Sequence, residues 1–368
     1  MSLPSTFRRW EASTFGGPAA LELVERPLPL PGRGEVLLRV LATDCTYTDL
    51  MVLNGCYEGI GKSALPITPG YTCSARVAAV GAGVDSAQLS IGDAVLAMPM
   101  HGCAAEYLLL PARACVRVAD AAGAAFVRAR PELAASLSLT GVTAYQMLHR
   151  VAGSARLSAP DASILVHGAA GGTGAMLVQL AKLAGAAPAR IIGTCSRKNM
   201  AAVSALGATA VTYEDAAWPA QVRAATAGGA GVCAAFDSTC DTQYSATISC
   251  IASGGIYVGY GVTNKVKPGS LALPGVLSFF AMKNVRHLLL HTLFCAADAT
   301  FYNVGARRAA LPAEYDDDVR TLVELAASGR LEVIVGKTHA LSGVKTALES
   351  IAAGEHRGKQ CVIVAHEE

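Results

Sequence analysis

The stretch His167-Gly-Ala-Ala-Gly171-Gly172-Thr173-Gly174 concentrates small residues where a chain must turn sharply and come close to an anion. It follows the apolar run Ser163–Val166 and precedes Met176, Leu177, Leu180, Leu183 and Ala184, which recur with helical period. A strand–turn–helix of this kind presents the unpaired N–H groups of a helix N-terminus to a pyrophosphate. Ala170, Gly171, Gly172, Thr173 and Gly174 are therefore candidate contacts to a dinucleotide, against the alternative of a merely structural turn. His167 reads as a packed strand-end residue and not as a catalyst.

The next strand bears on which dinucleotide is bound. An NAD site places Asp or Glu at the end of that strand to accept hydrogen bonds from the ribose. Here the end reads Gly193-Thr194-Cys195-Ser196-Arg197-Lys198, without a carboxylate. Ser196 can donate a hydrogen bond, and Arg197 and Lys198 can pair with a 2′-phosphate. The reading is NADPH; solvated loop cations are the alternative.

These residues need a scaffold, and the chain reads in three zones. Short strand-like runs at Glu35–Leu41, Ser74–Val80, Ala94–Met98 and Tyr107–Leu110 imply a compact β-rich region. From Ser163 onward, strands at Arg190–Gly193, Ala208–Thr212, Val232–Phe236 and Gly255–Val258 alternate with helical stretches, which implies βαβ units and a parallel sheet. Beyond Thr300, Val319, Leu322, Val323 and Ala326 form one helical face, which the acidic Asp316-Asp317-Asp318 is expected to open. Ser342 is expected to cap a further helix ending at Gly354, before a last strand at Gln360–Val364. The expected class is α/β, with boundaries at 1–150 for a β-rich domain, 151–300 for the nucleotide domain and 301–368 for a third zone.

Composition narrows the field. Hydrophobic residues make up 52% and charged residues 16% of 368, which excludes a disordered chain. The longest apolar stretches, Leu271–Met282 with Pro274 and Leu288–Ala297 with His291, fall short of the roughly 18–20 residues a bilayer span needs. A net charge of +2 without a basic block gives nucleic-acid binding no support. No signal peptide follows Arg8-Arg9, and the eleven cysteines include no CxxC pair, so reduced thiols in the cytoplasm are the expectation.

Further segments carry a family resemblance. Pro31-Gly-Arg-Gly-Glu-Val36, Val80-Gly-Ala-Gly-Val84, Ile91-Gly-Asp93-Ala-Val95, Leu139-Thr-Gly-Val-Thr-Ala-Tyr145 and Gly358-Lys359 accompany the glycine turn over nearly the whole chain. Together they resemble the medium-chain dehydrogenase/reductase superfamily, in its zinc-lacking quinone oxidoreductase and prostaglandin-type double-bond reductase branches. The resemblance implies a GroES-like catalytic domain interrupted by a Rossmann doubly wound parallel-sheet domain, with 301–368 returning to complete the first. It also implies a homodimer acting on an electrophilic small molecule.

Zinc-bearing members of such a family place Cys where this chain has Thr46, and Gly-His-Glu where it reads Gly70-Tyr71-Thr72. Their four-cysteine lobe has no counterpart in Met98-Pro-Met-His-Gly-Cys103, so no metal site is expected. Without a Lewis acid, conjugated acceptors such as quinones, enones and enals become the expected substrates. The resemblance brings Thr46, Asp49, Tyr57 and Thr143 to the nicotinamide, with Met51 replacing an expected Tyr. It sets Tyr213 beside the 2′-phosphate, and Gly259 and Tyr260 at a strand end near the cofactor. Asn264 stands where the double-bond reductases carry a Tyr. Tyr57, Thr46, Tyr260 and Asn264 are thus the candidate proton donors. A non-enzymatic NADPH-binding sensor or interaction protein is the alternative function, and the departures at Thr46 and Met51 are what such a loss of activity would look like.

Overall fold

The computed structural model describes residues 3–57, 59–157, 159, 161–240, 244–261, 298–354 and 358–364. They form two compact units, one from the described residues of 3–142 and 313–364, the other from those of 143–261 and 298–312.

The first unit opens with an antiparallel pair, β1 (Thr6–Ala12) and β2 (Leu21–Pro27). Its sheet is then built from β3 (Glu35–Cys45), β4 (Cys73–Val80), β5 (Ala94–Ala97), β6 (Tyr107–Pro111) and β7 (Cys115–Arg117). The central strand is β3. Val36, Leu37, Leu38, Val40 and Leu41 are all buried, so the run is covered on both faces and reads as continuous apolar sequence without alternation.

The second unit holds β8 (Ile164–His167), β9 (Ile191–Cys195), β10 (Thr209–Thr212), β11 (Val232–Asp237), β12 (Ile251–Gly259) and β13 (Asp298–Phe301). All neighbours run parallel in the order β10-β9-β8-β11-β12-β13. This is the doubly wound arrangement, and its order reverses between β8 and β11. Such a switch point leaves a crevice at the carboxyl ends of the strands, where ligands bind in this architecture. Both β8 and β9 are buried along their whole length.

The chain returns to the first unit through β14 (Val335–Ala340) and β15 (Lys359–Ile363), giving the order β14-β15-β3-β4-β5-β7 with β6 paired to β3. The molecule thus combines a GroES-like sheet unit with a Rossmann unit.

Two helix starts differ from the expectation. The helix Pro312–Ala327 begins at its proline, whose fixed φ suits a first helical position, and Glu314 supplies the first-turn charge. Asp316–Asp318 therefore lie further along; Asp318 is buried and Asp317 pairs with Arg320 at 2.8 Å. In the helix Val344–Ala352, Gly343 holds the N-cap place with no side-chain cap, because Ser342 is taken up in the tight turn Leu341–Gly343. No helix among the described residues is long and apolar enough to cross a membrane.

Candidate functional site

In the second unit the glycine turn joins β8 to the helix Gly172–Leu183 at the switch point. Gly168 takes φ +67°, and its carbonyl accepts the Gly171 N–H at 2.9 Å. A Cβ at Gly174 would lie 2.3 Å from the Gly168 oxygen, and one at Gly193 2.6 Å from the Ala169 Cβ. Backbone clearance, and not composition alone, therefore demands glycine at both. The Ala169 N–H donates to Thr194 O at 3.0 Å, fastening the turn to β9. Ala170, Gly171, Gly172, Thr173 and Gly174 then follow as the lip of the crevice and the start of the helix. His167 is buried with Nδ1 2.7 Å from Thr194 Oγ1 and Nε2 2.8 Å from Thr247 Oγ1, edge-on to Trp218. It packs the strand end.

Ser196 follows β9 and accepts a hydrogen bond from Asn199 Nδ2 at 3.1 Å. Arg197 and Lys198 are exposed, and Lys198 makes no ion pair among the described residues. Arg197 meets a carboxylate that sequence reasoning missed. Glu214, just after β10, accepts the Arg197 N–H at 3.0 Å and lies 3.6 Å from its Nε. The pair is largely solvated, so it is worth at most about 1 kcal/mol and leaves both cations available to an anion. Tyr213 is exposed beside it, its N–H donating to Cys195 O at 3.2 Å.

At the ends of β11 and β12, buried Asp237 accepts hydrogen bonds from Tyr257 Oη at 3.0 Å, from Thr239 N and Oγ1 at 2.8 Å each, and from Cys240 N at 3.3 Å. The Tyr260 N–H donates to Asp237 O at 2.9 Å. Burial pushes the Tyr260 phenol above its ordinary range, against a hydrogen bond with Ser238. A Cβ at Gly259 would meet Cys240 Sγ at 2.6 Å, and one at Gly168 would lie 3.3 Å from Ser238 Oγ. The ends of β8, β9, β11 and β12 thus converge around the glycine turn. Thr143 is buried in the helical segment Val142–Gln146 of the same unit. Asn264 lies outside the described residues.

The first unit carries the other candidates. Thr46 caps the helix Tyr47–Leu53, and Asp49 closes a capping box with it. Asp49 accepts from Thr46 N at 2.7 Å, Thr46 Oγ1 at 2.8 Å and Gly70 N at 2.8 Å. Burial pushes its carboxyl up to about 6 despite those donors. While Asp49 is ionised, the Thr46 hydroxyl proton is committed to it. Gly70, at φ +98°, has no room for a side chain, since a Cβ would lie 2.5 Å from Ala104 N. Tyr57 is half-buried, and its hydroxyl lies 2.6 Å from that of the fully buried Tyr71.

A carboxyl whose folded value exceeds its unfolded 3.8 makes the folded state bind more protons between about 4 and about 6, so this group lowers stability as pH rises through that window. Asp49→Asn should lack that contribution. The difference in thermal midpoint between wild type and variant is expected to change between about pH 4 and pH 6 and to be flat above it. A difference independent of pH would show that Asp49 is ionised throughout.

Beneath the cap, Asp44 and Lys359 form a buried pair, Nζ to Oδ2 2.5 Å. Thr72 Oγ1 donates to Asp44 Oδ1 at 2.6 Å and Ser136 Oγ to Oδ2 at 3.1 Å, while Lys359 Nζ donates to Thr140 Oγ1 at 3.1 Å. Burial works against the Lys359 ammonium, but Asp44 outweighs it and the group is pushed up. At the two places where zinc-bearing relatives put Cys and His, Thr46 serves the cap and Tyr71 the phenol pair. Among the described residues no group of three or more His, Cys, Asp or Glu could hold a metal ion, and no disulfide is formed.

Comparison with known proteins agrees with this architecture. Residues 32–120 match the family model of the alcohol dehydrogenase GroES-like domain, and residues 172–310 that of zinc-binding dehydrogenase. Together they take in well over half of the chain. The chain belongs to the medium-chain dehydrogenase/reductase superfamily. It is 34% identical over 200 residues to a chloroplast envelope quinone oxidoreductase homolog of Arabidopsis thaliana, an alignment covering 53% of this chain and 57% of that protein. The chain thus spans little more than half the length of the curated relatives it first matches. A quinone oxidoreductase of Pseudomonas syringae superposes with TM-score 0.76 at 26% identity, over 97% of this chain and 100% of that one. A mycobacterial protein whose structure is complexed with NADPH does so with TM-score 0.76 at 25% identity, over the same shares.

Proposed function

We propose that the protein is an NADPH-dependent oxidoreductase that reduces quinones or α,β-unsaturated ketones and aldehydes by hydride transfer without zinc. The observation that carries this reading is the glycine turn at the switch point, followed at the next strand end by Ser196, Arg197 and Lys198 where an NAD site would have a carboxylate.

The residues fit the cofactor. The turn is cleared of side chains by Gly174 and Gly193, which allows backbone N–H groups of Ala170–Gly174 to approach a pyrophosphate. Ser196, Arg197, Lys198 and Tyr213 would receive the 2′-phosphate, with Thr143, Gly259 and Tyr260 toward the nicotinamide end. Bound there, NADPH supplies a hydride. The chain's own task is to orient an electron-poor carbon and to stabilise the charge that develops on the substrate oxygen. Thr46 has its proton committed to Asp49, so Tyr57 is the favoured donor in the first unit. The quinone oxidoreductase relatives support the substrate class, and the NADPH-bound neighbour supports the cofactor. A cytoplasmic homodimer belongs to the same proposal, on the family resemblance.

Replacing both Arg197 and Lys198 by Ala is expected to narrow the NADPH:NADH affinity ratio at least tenfold, since charge-assisted contacts contribute about 1.5–3 kcal/mol each. Glu214→Gln should shift the ratio modestly the other way by freeing Arg197 of its carboxylate. Fluorescence titration with the two cofactors reads both. An unchanged ratio in the double variant would remove the assignment.

A further inference from the structure

We propose that Glu214 is a specificity-determining residue of the cofactor site: it supplies, from the neighbouring strand, the carboxylate that the end of β9 lacks. The site then accepts NADH as well as NADPH, and its preference for NADPH is held down. The inference rests on the cofactor reading above and names the residue that limits its selectivity.

Sheet register puts the carboxylate there. Thr212, the last residue of β10, stands opposite Cys195, the last residue of β9, so the two strands end level. Beyond them the Tyr213 N–H donates to Cys195 O at 3.2 Å and the Glu214 N–H to Thr212 Oγ1 at 3.3 Å, which keeps Glu214 beside the residues that follow β9. Its Oε1 accepts the Arg197 N–H at 3.0 Å. A carboxylate is thus fixed at the strand end where an NAD site carries its own Asp or Glu. Asp215, the next acid, is engaged elsewhere, with Oδ1 accepting the Ala217 N–H at 2.9 Å and Oδ2 the Gln221 Nε2 at 2.6 Å. Two features then set what Glu214 does. Its bond to Arg197 is made by the backbone, so the carboxylate stays in place when the guanidinium, 72% exposed, moves to an anion. The guanidinium Nε lies 3.6 Å from Oε2, an ion-pair contact too long for a hydrogen bond, so Oε2 accepts no hydrogen bond among the described residues. An accessible carboxylate oxygen with its lone pairs open suits the hydroxyls of an NADH ribose. A 2′-phosphate brings like charge to the same place and is opposed by it. Arg197 and Lys198 still favour the phosphate, so NADPH keeps a preference that Glu214 reduces.

Binding of NADPH and NADH to the full-length protein, followed by fluorescence titration, tests this without turnover. Glu214→Gln keeps the shape of the side chain and an oxygen for the Arg197 N–H but removes the charge. It should bind NADPH about two- to threefold more tightly than the wild type and NADH about two- to threefold more weakly, within the range that solvent-exposed charge contacts span. Adenosine 2′,5′-bisphosphate and 5′-AMP, titrated by calorimetry, should show the same opposite shifts, which places the effect at the adenosine end. In an Arg197→Ala background Glu214→Gln should still weaken NADH, because the carboxylate acts on the ribose directly and not through the guanidinium. Loss of both affinities together, the mark of a merely structural role, or no change in either would overturn the proposal. Wild-type protein that binds NADPH without measurable affinity for NADH would overturn it as well. Wild-type protein that binds neither would overturn the cofactor reading, and the proposal with it.

Discussion

Replacing Lys359 with Met is expected to destabilise the protein by about 3–5 kcal/mol, because it leaves a buried carboxylate without its cation. Asp44 has no solvent exposure and sits in β3 among Leu41, Ala42 and Cys45, so water cannot take the place of the ammonium. Thr72 and Ser136 would still donate to it, but neutral donors do not cancel a charge in an apolar interior. Replacing the pair together, Asp44→Leu with Lys359→Met, should recover most of the stability, since a buried ion pair is often matched by apolar residues of similar volume. Urea midpoints of the wild type, the single and the double variants check this. A single variant within about 1 kcal/mol of wild type would mean that the pair is not buried as described.

The second large effect falls on chemistry. Tyr57→Phe is expected to lower turnover of enones and quinones roughly a hundredfold or more, since loss of a donor to a developing oxyanion costs about 2.7–4 kcal/mol in a dry site. NADPH affinity should stay near the wild-type value, because the phosphate contacts proposed to anchor the cofactor come from the glycine turn and from Ser196, Arg197 and Lys198. By contrast, Thr46→Val should act mainly through the helix cap, removing the hydroxyl that Asp49 holds and lowering stability by roughly 1 kcal/mol. Steady-state kinetics with both substrate classes separates the two. Near-full turnover by Tyr57→Phe would exclude it as the donor and return the role to Tyr260, Asn264 or backbone.

How much of this could be read beforehand follows from how local each feature is. The glycine turn was legible because it is contiguous, and its requirement for small residues is met by neighbours such as Gly168 and Ala169. The alternation of strands and helices through the second unit was legible for the same reason, and so was the absence of a carboxylate at the end of β9. What escaped was non-local or competitive. Glu214 reaches Arg197 only because β10 lies beside β9, which no spacing within one segment reveals. Asp44 and Lys359 meet because β15 returns to pair with the end of β3, far along the chain. Neither strand marks the pair in its own sequence, since β3 also carries Glu35, Arg39 and Thr43 and Lys359 stands at the very start of β15. Ser342 and Asp316–Asp318 were plausible helix starters, but Gly343 and Pro312 occupy the starting positions and displaced them. Tyr71 was read as a lost metal ligand, and its partnership with Tyr57 needed the fold to bring the two phenols together.

The central claim is that this chain uses NADPH to reduce a conjugated acceptor, and its most direct test is cofactor consumption by the purified full-length protein. NADPH and NADH would each be offered with a panel of quinones, enones and enals, with and without a metal chelator, while the loss of reduced cofactor and the formation of reduced product are followed together. Stoichiometric turnover of at least one quinone or conjugated carbonyl is expected, faster with NADPH than with NADH and indifferent to the chelator. Consumption of neither cofactor with any acceptor in the panel, in protein that binds NADPH, would contradict it.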